Sequence, residues 1–171
     1  MYKMKQTGIF YGSTTGVTEE VAGRIAKALG VEDAHVHNIS DLTAEMLVGY
    51  EVLVLGSSTW GAGDLQDDWY AALDMMKLLD LSQKTVALFG CGDSGSFSDT
   101  FCDAIGTLYQ SLQQTGCRFV PGVDAGEYCY DSSSAVVDGK FVGLALDEVN
   151  ESDKTDGRIA GWVELLRPYL Q

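Results

Sequence analysis

Gly12-Ser13-Thr14-Thr15-Gly16-Val17-Thr18 lies between an apolar run, Gly8-Ile9-Phe10-Tyr11, and an amphipathic segment over residues 17–29. Strand, hydroxyl-rich turn and helix in that order present unpaired backbone N–H groups and the positive end of a helix to an anion. No Lys or Arg falls between Lys5 and Arg24. A phosphate held here is therefore held by Ser and Thr hydroxyls and by main-chain amides. A Walker loop needs Gly-Lys-Ser/Thr, and a dinucleotide fold needs G-x-G-x-x-G; neither occupies this turn. The turn suits a terminal phosphomonoester that stays bound and is not transferred. Ser and Thr also cap helices where no ligand binds, so the turn gains meaning only if other segments complete a site.

Downstream, Val21, Ile25 and Leu29 continue a helical apolar stripe that starts at Val17, and Gly30 stands where a helix ends. A short strand is expected over 34–39 and a weak helix over 43–47. Val52-Leu53-Val54-Leu55-Gly56 is a continuous apolar run, as for a central parallel strand covered on both faces. A helix over 66–78 buries Trp69, Leu73 and Met76; Thr85-Val86-Ala87-Leu88-Phe89-Gly90 is a further buried strand. Phe101, Ile105, Leu108 and Leu112 share one face of the next helix. A fifth strand starts over 117–120, is broken at Pro121-Gly122 and by a Ser-, Asp-, Tyr- and Gly-rich insertion over 124–140, and resumes over 141–146. A final helix runs over 156–170. The alternation implies one domain over residues 1–171, a three-layer α/β sandwich with a five-stranded parallel sheet and helices on both faces.

Composition narrows the function. The chain of 171 residues carries 25 acidic and 11 basic side chains, a formal charge of −14. Nucleic acid and anionic membranes repel such a surface, and basic protein partners are drawn to it; acidity that only keeps the protein soluble is the plainer reading. No run reaches the length of a membrane span, and residues 1–6 lead into a strand without a signal-peptide pattern, so a cytoplasmic protein is expected. Cys91, Cys102, Cys117 and Cys129 form no Cys-x-x-Cys pair. His35 and His37 alternate along one strand and read as a partly exposed strand face rather than as metal ligands.

In a parallel sheet of this kind, ligands bind outside the carboxyl ends of the strands. Three unusual loops follow strands: the hydroxyl turn, then Ser57-Ser58-Thr59-Trp60-Gly61-Ala62-Gly63-Asp64, then Cys91-Gly92-Asp93-Ser94-Gly95-Ser96-Phe97-Ser98-Asp99. All three are expected at one edge. Trp60 and Phe97 offer flat rings that could enclose a planar heterocycle while the turn holds its phosphate, which describes a mononucleotide with a large ring system. Asp64, Asp67, Asp68, Asp93 and Asp99 surround that ring site. Their charge disfavours adding an electron to a species already reduced and anionic. No His or Lys lies in these loops, so proton abstraction or acyl chemistry has little to work with.

On Ser13-Thr14-Thr15-Gly16-Val17-Thr18, Ser58-Thr59-Trp60-Gly61-Ala62-Gly63, Gly92-Asp93 through Phe97 to Asp99, and the stretch over 135–148 from Ala135-Val136-Val137 to Asp147-Glu148, the whole chain resembles the long-chain flavodoxins. The resemblance implies strand order 2-1-3-4-5. It implies a non-covalently bound FMN that shuttles single electrons at low potential between semiquinone and hydroquinone. By that resemblance Ser13 to Thr18 hold the phosphate, Trp60 stacks on the inner face of the ring and Phe97 on its outer face, and Ser58 and Thr59 are among the cofactor-binding residues. The Gly61–Ala62 peptide is where the family's backbone flips. The backbone around Gly92, Asp93 and Cys102 is expected to edge the pyrimidine end, with Cys91 and Asp99 also among the expected cofactor-binding residues. The outer stacking residue is commonly Tyr in the family and is Phe97 here. The resemblance further implies a monomer serving basic redox partners: flavodoxin- or ferredoxin-type reductases, and low-potential oxidoreductases such as nitrogenase, pyruvate oxidoreductase or photosynthetic donors. An FMN-dependent NAD(P)H:quinone reductase is the alternative. A phosphorylatable receiver domain is set aside, because Tyr11 and Gly12 stand where its acidic cluster belongs.

Overall fold

A computed structural model describes residues 4–171; of the expected N-terminal lead-in, residues 1–3 lie outside it. The elements, in chain order, are β1 (Thr7–Gly12), α1 (Val17–Leu29), β2 (Val36–Asn38), α2 (Ala44–Val48), β3 (Val52–Trp60), β4 (Asp64–Leu65), α3 (Trp69–Met76), β5 (Thr85–Cys91), α4 (Asp103–Leu112), β6 (Arg118–Phe119), β7 (Val123–Asp124), β8 (Val136–Val137), β9 (Lys140–Phe141), β10 (Leu144–Leu146) and α5 (Thr155–Leu166).

The main sheet runs β2-β1-β3-β5-β10 with every one of these pairs parallel. The fifth position is shared. β6 pairs with the start of β5, Thr85 opposite Arg118, and β10 with its end, Leu146 opposite Cys91. One broken strand thus serves both halves of its neighbour. The expected order is observed, and the interruption falls where Pro121 and Gly122 stand. Phe141, read as part of the resumed strand, instead pairs antiparallel with Val123 and Val136 in a small β7-β9-β8 sheet built from the insertion.

Period-two alternation divides the sheet residues between two cores. Phe10, Leu53, Leu55, Val86 and Leu88 meet Trp69 and Met76 of α3 and Ile105 and Leu108 of α4. Ile9, Val52, Val54, Ala87 and Phe89 meet Val21 and Ile25 of α1 and Ile159 and Trp162 of α5. Phe101 lies before α4 rather than on it; it is buried and stacks on Tyr130 of the insertion at 5.7 Å. α5 ends before the expected boundary. Pro168 lies in the 3-10 turn Arg167–Tyr169 and has no N–H for the α ladder. His35 belongs to the turn Asp33–His35 and only His37 to β2; both imidazoles reach the Tyr50 hydroxyl, at 3.0 and 2.7 Å.

Candidate functional site at the carboxyl edge of the sheet

β1 and β5 end beside neighbouring residues of β3, which runs on past them to Trp60. Gly12 is opposite Ser57, and Ser58 is opposite Cys91. The chain leaves β1 through Ser13, Thr14 and Thr15 and enters α1 at Gly16, whose φ of 95° suits a residue without a Cβ. No side chain caps α1, although three hydroxyl residues precede it. The Glu20 N–H donates to the Gly16 carbonyl at 3.0 Å as the first rung of the helix. The N–H groups of Val17, Thr18 and Glu19 therefore stay outside the helical ladder, at its positive end. Two of the hydroxyl oxygens already accept bonds. Ser13 Oγ takes the Gly16 N–H at 3.1 Å, and Thr14 Oγ1 takes Gln66 Nε2 at 3.3 Å. Each hydroxyl hydrogen remains free to donate. Thr15 and Val17 are exposed. Thr18 is buried, and among the described residues its Oγ1 satisfies no hydrogen bond, though the Cys91 thiol lies nearby.

The second loop is shorter than expected, because β3 extends to Trp60 and turns back through β4, with Trp60 opposite Asp64. The turn between them closes with the Gly63 N–H on the Trp60 carbonyl at 3.1 Å. Gly61 has φ 51° and Gly63 φ 104°, positive values that glycine adopts without strain. The Trp60 indole N–H donates to Ser58 Oγ at 2.7 Å, which fixes the ring plane while 41% of the residue stays exposed. Thr59 Oγ1 accepts the Ala104 N–H at 3.3 Å and ties this strand end to α4.

In the third loop Asp93 folds the chain back on itself. Its Oδ1 accepts the N–H of Gly95 at 3.1 Å and of Ser96 at 3.0 Å, and its carbonyl accepts the Phe97 N–H at 2.8 Å. Hydrogen bonding, first from Asn150 and then from Ser96, holds the Asp93 carboxyl below its ordinary range. Of the acids expected around the ring, Asp93 thus has its carboxylate occupied by the loop, while Asp64, Asp67, Asp68 and Asp99 are exposed. Phe97 stands 46% exposed at the crest. Cys91 and Cys102 are buried; burial pushes the Cys91 thiol up to about 12 and the Cys102 thiol upward as well. Neither is poised as a nucleophile. What Cys91 and Cys102 offer the edge is backbone.

Side chains that the sequence reading did not single out hold the loops together. Gln66 is buried, and its amide spans the hydroxyl turn at Thr14 and Asp68, the latter at 2.9 Å. Buried Ser57 accepts the Gln66 N–H at 3.1 Å. The Asp103 carboxylate packs against Gly63, where a Cβ would approach it to 2.8 Å, and accepts the Ser134 N–H from the insertion at 2.8 Å. The insertion also braces the third loop: the N–H groups of Asp131 and Ser132 both donate to the Ser98 carbonyl, at 2.9 and 3.0 Å. Only pairings across the fold reveal these roles.

A family model described as Flavodoxin matches residues 9–162. The chain belongs to the flavodoxin family. It is 42% identical over 169 residues to Flavodoxin 1 of Azotobacter vinelandii, covering 96% of this chain and 97% of that one. It is 41% identical over 163 residues to a flavodoxin of Nostoc sp. strain PCC 7120, covering 95% and 96%. A crystal structure of Fusobacterium nucleatum flavodoxin bound to flavin mononucleotide superposes with a TM-score of 0.91 at 30% identity, covering 98% of this chain and 100% of the other. Membership places this flavodoxin among electron-transfer proteins that act through redox partner proteins, and the quinone-reductase alternative is not favoured. Among the described residues no helix is long and apolar enough to cross a membrane.

Proposed function

We propose that this chain is one FMN-binding domain that holds the cofactor non-covalently at the carboxyl edge of its sheet and passes single electrons at low potential between protein partners. The observation that carries the reading is the uncapped N-terminus of α1 beside two large rings, Trp60 and Phe97, each left more than two-fifths exposed. Free helix amides and the hydroxyls of Ser13, Thr14 and Thr15 fit a phosphate. The buried Thr18 hydroxyl lacks an acceptor that a phosphate oxygen would provide.

Bound FMN would supply reversible one-electron chemistry; the protein's own groups set its terms. Trp60, braced by Ser58, and Phe97 exclude water from the two faces of the ring. The Gly61–Ala62 peptide can turn over at little cost. A Cβ at Gly61 would meet only Asp64 Oδ2, at 3.5 Å; turned over, this peptide would offer the Gly61 carbonyl to a proton-bearing nitrogen at the ring edge. Backbone of Gly92, Asp93 and Cys102 lines the other end. The exposed acids Asp64, Asp67, Asp68 and Asp99 oppose a further negative charge on the ring and lower the potential of the last electron.

The same acids favour basic docking patches, such as those of ferredoxin-type reductases or low-potential oxidoreductases of the nitrogenase and pyruvate-oxidising kinds, met in the cytoplasm. An anaerobic reductive titration of the FMN-reconstituted protein tests the reading. New long-wavelength absorption at one electron equivalent, lost at two, is expected. Direct bleaching without it, above all with NAD(P)H, contradicts the carrier. Electron-transfer rates with a basic partner should fall as ionic strength rises.

A further inference from the structure

The loop that carries Phe97 is fastened from outside itself. Asp147, at the end of β10, is fully buried. An isolated carboxylate there would be costly, yet it collects donors. Its Oδ2 accepts the Ser94 N–H at 3.2 Å and the Ser94 hydroxyl at 2.5 Å, and its Oδ1 accepts the Asn150 N–H at 3.0 Å. The Asn150 side-chain amide then bridges two acids. Nδ2 donates to both Asp147 oxygens at 3.1 Å and to Asp93 Oδ1 at 2.8 Å. On its other side Asn150 Oδ1 packs on Gly95, where a Cβ would approach to 2.7 Å. Asn150 itself is exposed. One amide therefore joins Asp93, the carboxylate that folds residues 93–97, to Asp147, the carboxylate that anchors Ser94.

We propose that Asn150 is a positioning residue for the ring site, fixing the place of Phe97 and of the loop backbone by bridging Asp93 and Asp147. The inference rests on the reading that FMN binds at this edge. Its chemistry is specific: two neighbouring carboxylates repel unless a donor lies between them. Of the acids that follow Asp147, Glu148 pairs with Arg24 at 3.3 Å and Glu151 with Arg158 at 3.2 Å; the buried thiols of Cys91 and Cys102 also lie close to Asp147.

Asn150→Ala and Asn150→Asp, with the exposed neighbour Val149→Ala as control, are compared with the unsubstituted protein. The measurements are apoprotein melting, FMN affinity from flavin fluorescence, and the two one-electron midpoint potentials. Both Asn150 variants should bind FMN about tenfold more weakly and show a changed separation of the two potentials, in addition to any melting temperature lost with the donor to buried Asp147; Val149→Ala should show neither effect. In Asn150→Asp alone, affinity relative to the parent should recover as the pH falls. Three carboxylates raise the pKa of one of them, and a protonated carboxyl restores a donor where the amide stood. Unchanged affinity and potentials overturn the proposal. So does a lowered melting temperature with the potentials unmoved and no acid recovery, which leaves Asn150 a structural role only. Failure of the unsubstituted protein to bind FMN would instead sink the site reading itself.

Discussion

Helices α1 and α2 both begin behind threonines, and their ends differ. At α2 the Thr43 hydroxyl accepts the Met46 N–H at 3.2 Å, an ordinary cap that closes a five-residue helix. At α1, with Ser13, Thr14 and Thr15 available, no side chain caps the first turn, and Gly16 enters it in the left-handed region. The same residue types complete one helix and leave the other open. An open helix end keeps its donors and positive potential for something outside the chain. The aromatic loops are the counterpart of the open end, with Trp60 and Phe97 presenting apolar surface that folding alone has no reason to expose.

Substitutions can separate the two kinds of helix end and weigh the ring loops against them. Trp60→Ala should have the largest effect. Loss of a stacked ring is expected to cost FMN binding about 2 kcal/mol, or roughly thirtyfold in Kd, read by flavin fluorescence. Thr15→Ala should weaken FMN binding about tenfold while leaving apoprotein melting unchanged, since the lost hydroxyl served only the anion. Thr43→Ala should do the reverse. Apoprotein stability falls by about 1 kcal/mol in a denaturant titration, and FMN affinity stays put. If Thr15→Ala destabilised the apoprotein as Thr43→Ala does, the two ends would be alike and the comparison would fail. Phe97→Tyr should be the mildest change, shifting the potentials modestly with FMN retained; loss of FMN would count against Phe97 as the outer face of the site.

Periodicity carried most of the fold. The stripe Val21, Ile25, Leu29 and the runs at 52–56 and 85–90 specify a parallel sheet covered on both faces, and Pro121-Gly122 marks the break in its fifth strand. Where local pattern failed, pairing across the fold decided. β3 continues to Trp60 because Asp64 pairs back onto it, and Phe141 leaves the main sheet because Val123 and Val136 claim it. The site divides the same way. Glycines, hydroxyls and aromatics in short loops were legible, because each needs only its local backbone. Gln66, Asp103, Asp147 and Asn150 were not, because their partners lie 52, 31, 53 and 57 residues away. Asp93, read as part of the charge around the ring, also folds its own loop through Gly95 and Ser96, and its one distant partner is Asn150, 57 residues away.

The open end of α1 is tested most directly by titrating the apoprotein with FMN and, in parallel, with riboflavin, which keeps the ring and lacks the phosphate. The account predicts that FMN binds tighter by about a hundredfold or more, as several charge-assisted bonds at a helix end should give, and that Thr15→Ala narrows the gap. Equal affinity for the two flavins would contradict it, leaving the uncapped helix without a ligand and the hydroxyl turn without a role.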